Sequence, residues 1–406
     1  MKLREPPPLS LYVHFPWCVR KCPYCDFNSH EVRGDLPEQD YLQALLRDLA
    51  YERARVPKRE VISVFIGGGT PSLLSGEALS ALLDGIRGRL RLGAEAEITL
   101  ESNPGTLTAE RLRDYKHAGV NRLSIGVQSL RDPQLASLGR IHSGDEARCA
   151  FHAARAAGFD NINLDLMFGL PKDTREGALY DLTQAIALGP EHLSWYQLTI
   201  EPNTAFFRRP PPLPDDDALW EIYQDGQAAL AAHGYARYEV SAYARGKHHC
   251  RHNLNYWRFG DYLGIGAGAH GKISDPVEQR IVRTAKRRNP KIFMHGAGTA
   301  AAIQDEHRIG ADEIIVEFML NALRLRSGFP STLFNQHTGL PIEIIEPSLI
   351  DAAHRGLVDY SAGHIQPTAL GLRYLNELVY LFLPSPPALA ARAAPLRANA
   401  IMSWST

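Results

Sequence analysis

The sequence predicts an α/β protein in which a partial or full parallel (β/α) barrel precedes a smaller α+β domain. Short β-rich runs alternate with helical stretches from near the N-terminus to about residue 200. Helices between strands predict parallel pairing, because a parallel pair needs a long crossover connection. Polar residues follow several of these runs, as they do at the active-site rim of a barrel. Two short β-rich runs near residue 360 follow further helices and predict the smaller domain.

The spacing of apolar residues and the local composition predict the individual strands and helices. The predicted barrel strands are Leu11–Phe15, Val61–Ile66, Glu97–Leu100, Arg122–Val127, Asn161–Met167 and His192–Ile200. The predicted helices include Glu38–Arg55, Gly76–Leu90, Asp145–Ala157, Leu219–Ala232, Glu313–Leu325 and Leu340–Arg355. A hairpin of Val358–Tyr360 and His364–Pro367 makes the smaller domain winged-helix-like. We therefore predict a barrel over 1–240, a connecting segment over 241–300, an accessory domain over 301–383 and a flexible, Pro- and Ala-rich tail over 384–406.

The composition is that of an ordinary globular protein. Of 406 residues, 45% are hydrophobic and 22% are charged. Lys and Arg number 44 against 45 Asp and Glu, so there is no global basic field for nucleic acid. The N-terminus has no apolar signal-peptide region, and no apolar run approaches the roughly 20 residues of a membrane helix. We expect a cytoplasmic protein without nucleic-acid partners, and peripheral membrane contact stays open.

Three of the five cysteines lie close together near the N-terminus. Cys18, Cys22 and Cys25 have the spacing C-x3-C-x2-C, with an aromatic residue just before the third cysteine. Cysteine thiolates are the usual ligands of iron–sulfur clusters, and a cubane normally has four of them. Three ligands without a fourth indicate a cluster with one open iron, where a small molecule can bind.

Two other interpretations of these cysteines are weaker. A zinc site needs four Cys or His ligands, and His14 or His30 would have to supply the fourth. A disulfide framework does not suit five cysteines in a long chain without a signal peptide. Of the other two cysteines, Cys149 lies in a helical stretch and is expected to be a packing residue.

Polar residues recur where the predicted strands end. The second strand runs into a glycine-rich turn ending at Thr70, the third ends at Glu101, and the fourth ends at Gln128. Asp165 lies inside an apolar strand, where a carboxylate needs a partner. Because the ends of parallel strands meet at one rim, we expect these groups to form a site.

The cysteine motif resembles the C-x3-C-x-aromatic-C signature of the radical S-adenosylmethionine (SAM) superfamily. The resemblance implies a [4Fe–4S] cluster on the three cysteines, with SAM on the open iron as the source of a 5′-deoxyadenosyl radical. It also implies that backbone carbonyls of the glycine-rich turn meet the SAM amino group. The residues that match the superfamily's SAM positions are Tyr12, Tyr24, Gly68, Gly69, Thr70, Glu101, Gln128, Arg140 and Asp165.

A second resemblance is narrower and covers most of residues 10–380. The run His252-Asn-x-x-Tyr256-Trp257 resembles an element of a haem-chaperone family related to oxygen-independent coproporphyrinogen III dehydrogenase (HemN). Cys25-Asp-Phe-Asn28 and Gly266-Ala-Gly-Ala-His270 fit the same family. Phe27 stands at the position where the dehydrogenase has a further cysteine. Cys18 lies near the start of the sequence, so we expect only a short N-terminal extension before it. Both features favour the haem chaperone.

This resemblance implies haem as ligand and haem-acceptor proteins, including respiratory enzymes, as partners. His and Cys are the usual axial ligands of haem iron. The candidates are His248, His249, Cys250 and His252, and His252 is favoured because it lies in the motif. The alternative function is a SAM-dependent coproporphyrinogen III dehydrogenase, and a third is a radical SAM enzyme with another substrate. Whether the protein is an enzyme stays open, and a cluster-dependent homodimer is conceivable.

Overall fold

The structure is a computed structural model and describes residues 1–384. A 12-stranded sheet forms its centre. Its strands are β1 (Leu9–Phe15), β2 (Glu60–Gly68), β3 (Arg91–Ser102), β4 (Arg122–Gln128), β5 (Ile162–Phe168), β6 (His192–Gln197), β7 (Ala236–Arg237), β8 (Ala242–Ala244), β9 (Asp261–Ile265), β10 (His270–Asp275), β11 (Arg280–Lys286) and β12 (Ile303–Arg308). Their order across the sheet is β12-β11-β10-β9-β1-β2-β3-β4-β5-β6-β8-β7.

The seven neighbouring strands from β9 through β6 are parallel, and the remaining strands extend both sides of this block by antiparallel pairing. Parallel strands need covered faces, and helices supply the cover. The helices up to residue 300 are α1 (Glu38–Glu52), α2 (Gly76–Arg87), α3 (Ala109–Ala118), α4 (Asp132–Ser137), α5 (Gly144–Ala156), α6 (Arg175–Leu188), α7 (Ala205–Arg208), α8 (Asp216–Ala232), α9 (Arg251–Trp257) and α10 (Pro290–Gly296). The main core lies between the sheet and these helices.

The C-terminal part has its own core and a small sheet. Its helices are α11 (Ala311–Ala322), α12 (Ser331–Thr338), α13 (Glu346–His354), α14 (Ala369–Arg373) and α15 (Leu375–Tyr380). Strands β13 (Phe329–Pro330), β14 (Val358–Ser361) and β15 (His364–Pro367) form an antiparallel sheet with β15 in the middle. Leu3, Phe259 and Ile281 pack into this second core from the N-terminal part of the chain. The accessory domain is therefore anchored on the main sheet.

The predicted α/β fold class is confirmed, and all six predicted barrel strands are present. The stretch 241–300, predicted as a connecting segment, contributes strands and α9 to the main sheet region. The predicted helix Leu340–Arg355 is a short 3-10 turn followed by α13, because Pro347 has no N–H to continue a helix from the turn before it and is instead accommodated in the first turn of α13. The third strand of the small sheet was not predicted. The predicted tail lies outside the described residues from 385 onward.

No helix within residues 1–384 has both the length and the apolar character that crossing a bilayer requires.

Candidate cofactor site

The three motif cysteines lie in a loop that folds back on the end of β1. Trp17 and Cys18 form a short parallel ladder with His30 and Glu31, which closes the loop. Inside it, the Cys25 N–H donates to the Cys22 carbonyl at 3.2 Å. All three thiols are partly buried and none forms a disulfide. The chain thus presents three free thiols from one compact loop.

The environment of these thiols suits a positively charged metal group. Burial, together with the neighbouring Cys25 and Cys22, raises the pKa of Cys18 to about 11, and burial also raises the pKa of Cys25. Bare thiolates are therefore disfavoured, and iron bound at the sulfurs would offset that cost. Nowhere in residues 1–384 do three His, Cys, Asp or Glu side chains converge closely enough to hold one ion. The interpretation as a four-ligand zinc site therefore finds no support. A cubane cluster does not require the three sulfurs to meet at one ion, because each cysteine binds a different iron atom.

Asn28 ties the cysteine loop to the second half of the chain. Its side-chain N–H2 donates to the Ala267 carbonyl at 2.8 Å and to the Arg288 carbonyl at 2.9 Å. Its own carbonyl is 3.0 Å from His14 Nε2. A Cβ on Gly268 would lie 2.4 Å from the Asn28 amide, so only glycine fits there. The glycine-rich motif after β9 thus supports the back of the cysteine loop.

The glycine-rich turn after β2 packs directly on the same loop. The Gly69 N–H donates to the Phe15 carbonyl and the Thr70 N–H to the Trp17 carbonyl, both at 2.7 Å. Gly68 has a φ of 113°, and a Cβ there would lie 2.5 Å from the His14 ring. The Thr70 side chain lies near Cys18 and opposes the rise in the pKa of that thiol. The turn and the cysteines therefore form one unit.

Two carboxyl groups lie beside this unit. The Gly68 N–H donates to Glu101 Oε2 at 2.9 Å. Burial and the nearby Asp165 raise the pKa of Glu101 to about 7. Asp165 accepts hydrogen bonds from Ser124 Oγ at 3.0 Å and from Asn163 Nδ2 at 2.7 Å, and burial raises its pKa. These are the partners that an acidic residue in an apolar strand requires.

Arg140 links the cysteines to the end of β4. Its Nη1 lies 3.8 Å from Cys22 Sγ, and its Nη2 donates to the Gly126 carbonyl at 2.7 Å. Its Nε is buried without a hydrogen-bond partner among the described residues, so the guanidinium retains a donor for a ligand. Cys22, Thr70 and Arg140 line one small cleft.

Gln128 and Tyr24 complete this side of the site. Gln128 has a φ of 67°, unusual for a residue other than glycine, and its Oε1 accepts from Tyr196 Oη at 2.8 Å. Tyr24 interacts with Cys22 and with Arg140, and burial raises its pKa. Its ring lies 6.4 Å from that of Phe206. The sequence did not indicate a role for Tyr196.

Tyr12 on β1 and His252 on α9 lie next to each other, with their ring centroids 6.3 Å apart. Tyr12 Oη is 3.0 Å from His14 Nδ1, and burial and the charge of Glu101 raise its pKa. His252 is fully buried, with Nδ1 3.0 Å from Ser63 Oγ and Nε2 2.9 Å from Tyr256 Oη. Burial lowers the pKa of His252 to about 3, which keeps the ring neutral.

Direct contacts thus join the cysteine loop to the glycine-rich turn and to Arg140, and the turn to Glu101. Gln128 and Asp165 form their hydrogen bonds with other residues of the neighbouring strands. Four polar residues on the inner face of the strands were missed. Arg122 and Ser124 are two residues apart on β4 and therefore share one face. Glu97 and Thr99 share a face with the predicted Glu101 along β3. This two-residue period is the signal that the sequence contained.

Known proteins match the chain over nearly its whole length. A model of the radical SAM superfamily matches residues 12–182, and one of the HemN C-terminal domain matches residues 309–374. The "Heme chaperone HemW" of Escherichia coli (strain K12) is 54% identical over 377 residues, which cover 93% of this chain and 98% of that one. The protein of the same name from Bacillus subtilis (strain 168) is 35% identical and covers 92% and 99%.

The chain belongs to the HemW family. Among solved structures, the E. coli coproporphyrinogen III oxidase HemN, described as a radical SAM enzyme, superposes with a TM-score of 0.79 at 25% identity. The match covers 93% of this chain and 90% of that one. The HemW family shares the radical SAM scaffold, and that scaffold implies a [4Fe–4S] cluster and SAM as cofactors. The three free thiols of one loop and the unpartnered Nε of Arg140 beside them agree with such a pair.

Proposed function

We propose that this protein is a haem chaperone, which binds haem and delivers it to acceptor proteins, respiratory enzymes among them. The observation that carries the proposal is the 54% identity to a heme chaperone HemW over almost the full length of both chains. The identity spans the cysteine loop, the sheet and the accessory domain alike. Titration of the cluster-loaded protein with haem under anaerobic conditions tests it. A saturable shift of the haem absorption supports the proposal, and absence of binding refutes it.

The second candidate is an oxygen-independent coproporphyrinogen III dehydrogenase. The superposition on HemN favours it, because the same scaffold would position the same radical-generating residues. Phe27, where the dehydrogenase has a further cysteine, argues against it. Anaerobic incubation with coproporphyrinogen III, SAM and a reductant separates the two functions. Protoporphyrinogen formation would establish the dehydrogenase, whereas 5′-deoxyadenosine without porphyrin product would exclude this substrate and leave the chaperone.

We assign the cofactor residues as follows. Cys18, Cys22 and Cys25 hold the [4Fe–4S] cluster, and SAM completes the open iron and supplies the radical chemistry of the superfamily. The SAM residues are Tyr12, Tyr24, Gly68, Gly69, Thr70, Glu101, Gln128, Arg140 and Asp165. Their contacts with one another and with the cysteine loop support this assignment. The guanidinium of Arg140 is placed for a carboxylate, and the acidic pair is placed for hydroxyl or ammonium groups.

Coordination of haem iron by His252 remains a prediction. Its two ring nitrogens face Ser63 and Tyr256, so ligation requires one of these hydrogen bonds to break and the ring to leave the interior. If His252 coordinates the haem iron, a His252→Ala variant should lose the haem absorption shift. A matched variant, His152→Ala, removes an exposed ring on α5 that is not a candidate ligand and serves as control. Unchanged haem binding in His252→Ala would assign the ligand elsewhere.

We also propose that the protein is cytoplasmic, that it makes peripheral membrane contact and that it forms a cluster-dependent homodimer. The proposed domain limits are a barrel over 1–240, a connecting segment over 241–300 that adds strands to the main sheet, and an accessory domain over 301–383. Sedimentation of the full chain with and without its cluster tests the dimer. A mass that doubles only in the cluster-loaded sample supports it, and an unchanged mass refutes it.

A further inference from the structure

Arg122 is a buried cation for which the cofactor assignment gives no role. It begins β4 and its side chain is only 2% exposed. Within residues 1–384 it forms no ion pair shorter than 4 Å, and its Nε has no hydrogen-bond partner. A charged group removed from water without a close partner costs several kcal/mol unless opposite charges lie near it. Its position must therefore be explained by the charges around it.

The register of the strands places Arg122 beneath the acidic pair. In the β3–β4 ladder Arg122 pairs with Thr99, and Ser124 pairs with Glu101. Because side chains alternate, Arg122 and Ser124 share a face, and Ser124 Oγ donates to Asp165. Ser124 pairs with Asn163 in the β4–β5 ladder, and Gly126 pairs with Asp165. Arg122 therefore lies one same-face step closer to the strand start than Glu101 and two steps closer than Asp165.

The electrostatics agree with this placement. Burial is the largest influence on both carboxyl groups and raises the pKa of each, and the positive charge of Arg122 opposes that rise in both. Burial also works against the charge of Arg122 itself, but the nearby Cys250 and Glu97 hold its pKa above the usual value. The titratable groups around this cation and the acidic pair are Glu97 on β3, Tyr12 on β1, His192 and Tyr196 on β6, Tyr238, Cys250, and His252 on α9.

We propose that Arg122 is a positioning residue of the SAM site, supplying the fixed positive charge that lets Glu101 and Asp165 meet the cofactor as anions. This proposal rests on the assignment of SAM to that site. Among the residues that the structure describes, no hydrogen bond or ion pair joins Arg122 to the glycine-rich turn or the cysteine loop, so in this proposal its charge acts through the two carboxyl groups. Anionic acceptors bind ammonium and hydroxyl groups more strongly than neutral ones do.

The test is SAM binding by the cluster-loaded full chain, measured anaerobically by equilibrium dialysis at pH 7 and pH 9. With a pKa of about 7, Glu101 is about half ionised at pH 7. If Arg122→Met raises that pKa by about one unit, the ionised fraction at pH 7 falls to about a tenth. We therefore expect about fivefold weaker SAM binding at pH 7 and recovery to within about twofold of wild type at pH 9. Arg122→Lys keeps the charge and should keep most of the affinity at both pH values.

Two controls separate positioning from a structural role. Arg122→Met removes no close ion pair, so the fold should persist, and circular dichroism and iron content verify this. Glu101→Gln should bind SAM weakly with much less dependence on pH. The proposal is wrong if Arg122→Met binds like wild type at pH 7, if it is weakened equally at both pH values, or if Arg122→Lys behaves like Arg122→Met. Haem titration of the same samples tests the chaperone function separately, and absence of SAM binding in wild type would overturn the site assignment and this proposal with it.

Discussion

Substitution of Gly69 by alanine should separate the glycine-rich turn from the cysteine loop. A Cβ at this position would lie 2.4 Å from the Trp17 carbonyl oxygen and 2.9 Å from the Trp17 nitrogen. These are backbone atoms, and the hydrogen bond from Thr70 and the ladder with His30 hold them in place. To remove this overlap, the two segments would have to move apart by about 1 Å, which restores an ordinary contact of 3.4 Å or more. Overpacking of this kind costs about 1–3 kcal/mol of stability.

The functional loss should be larger than the stability loss suggests, because the turn packs on the cysteine loop and, in the proposed assignment, also meets SAM. A displacement of about 1 Å is enough to weaken a positioned interaction strongly. We expect at least tenfold weaker SAM binding, which corresponds to about 1.4 kcal/mol, and lower iron content after reconstitution. Gly105→Ala is the matched control, since a Cβ there would have only ordinary contacts of 3.7 Å or more. If Gly69→Ala matched Gly105→Ala in both measurements, the close packing of turn and loop would be refuted.

Three further substitutions test other parts of the account. Cys22→Ala should abolish the visible absorbance of the cluster while the exposed Cys149→Ala leaves it intact, and retained absorbance in Cys22→Ala would contradict the ligand assignment. Asn28→Ala should lower the iron retained per chain during dialysis, because two hydrogen bonds to the second half of the chain are lost. Asn28→Asp should lower the retained iron further, since its carboxylate would face two carbonyl oxygens. Equal iron retention in wild type and both variants would show that this support is dispensable. Glu101→Gln should raise the unfolding temperature of the cluster-free chain at pH 8, where ionising Glu101 costs about 3 kcal/mol because its pKa rises from 4.5 to about 7 on folding. The substitution should change the unfolding temperature little at pH 4.5, because the cost is absent below the unfolded pKa and complete only above the folded one. An equal gain at both pH values would contradict the raised pKa.

The order of strands and helices in the first 200 residues was predictable from local pattern. Runs such as Arg122–Val127 and Asn161–Met167 are bounded by helices with clear periodicity, so alternation alone predicted the parallel block. Strands β7 to β12, including β9 of the parallel block, were not predicted. In β12, residues such as Asp305 and Glu306 are exposed on a sheet edge, so this strand has no apolar alternation. Pairing with β11, rather than burial of its own side chains, defines that strand.

The site was predictable where residues stand in sequence motifs and obscure where they meet only in space. The cysteine spacing and the turn at Gly68 to Thr70 were visible directly. Contacts between distant segments, such as Asn28 with Ala267 or Gln128 with Tyr196, depend on the folded topology and have no local signature. His252 shows the converse limit: its motif is conspicuous in sequence, yet the structure gives both ring nitrogens hydrogen-bond partners in the interior.

The most direct test of the central claim is transfer of haem from the loaded protein to a haem-free acceptor. The cluster-loaded chain is saturated with haem, separated from free haem, and mixed anaerobically with an apo form of a haem-containing respiratory enzyme. A haem chaperone should lose its haem absorption while the acceptor gains haem and activity, faster than the acceptor does with free haem at the same concentration. Haem that stays on this protein, or an acceptor that fills no faster than with free haem, would contradict the account.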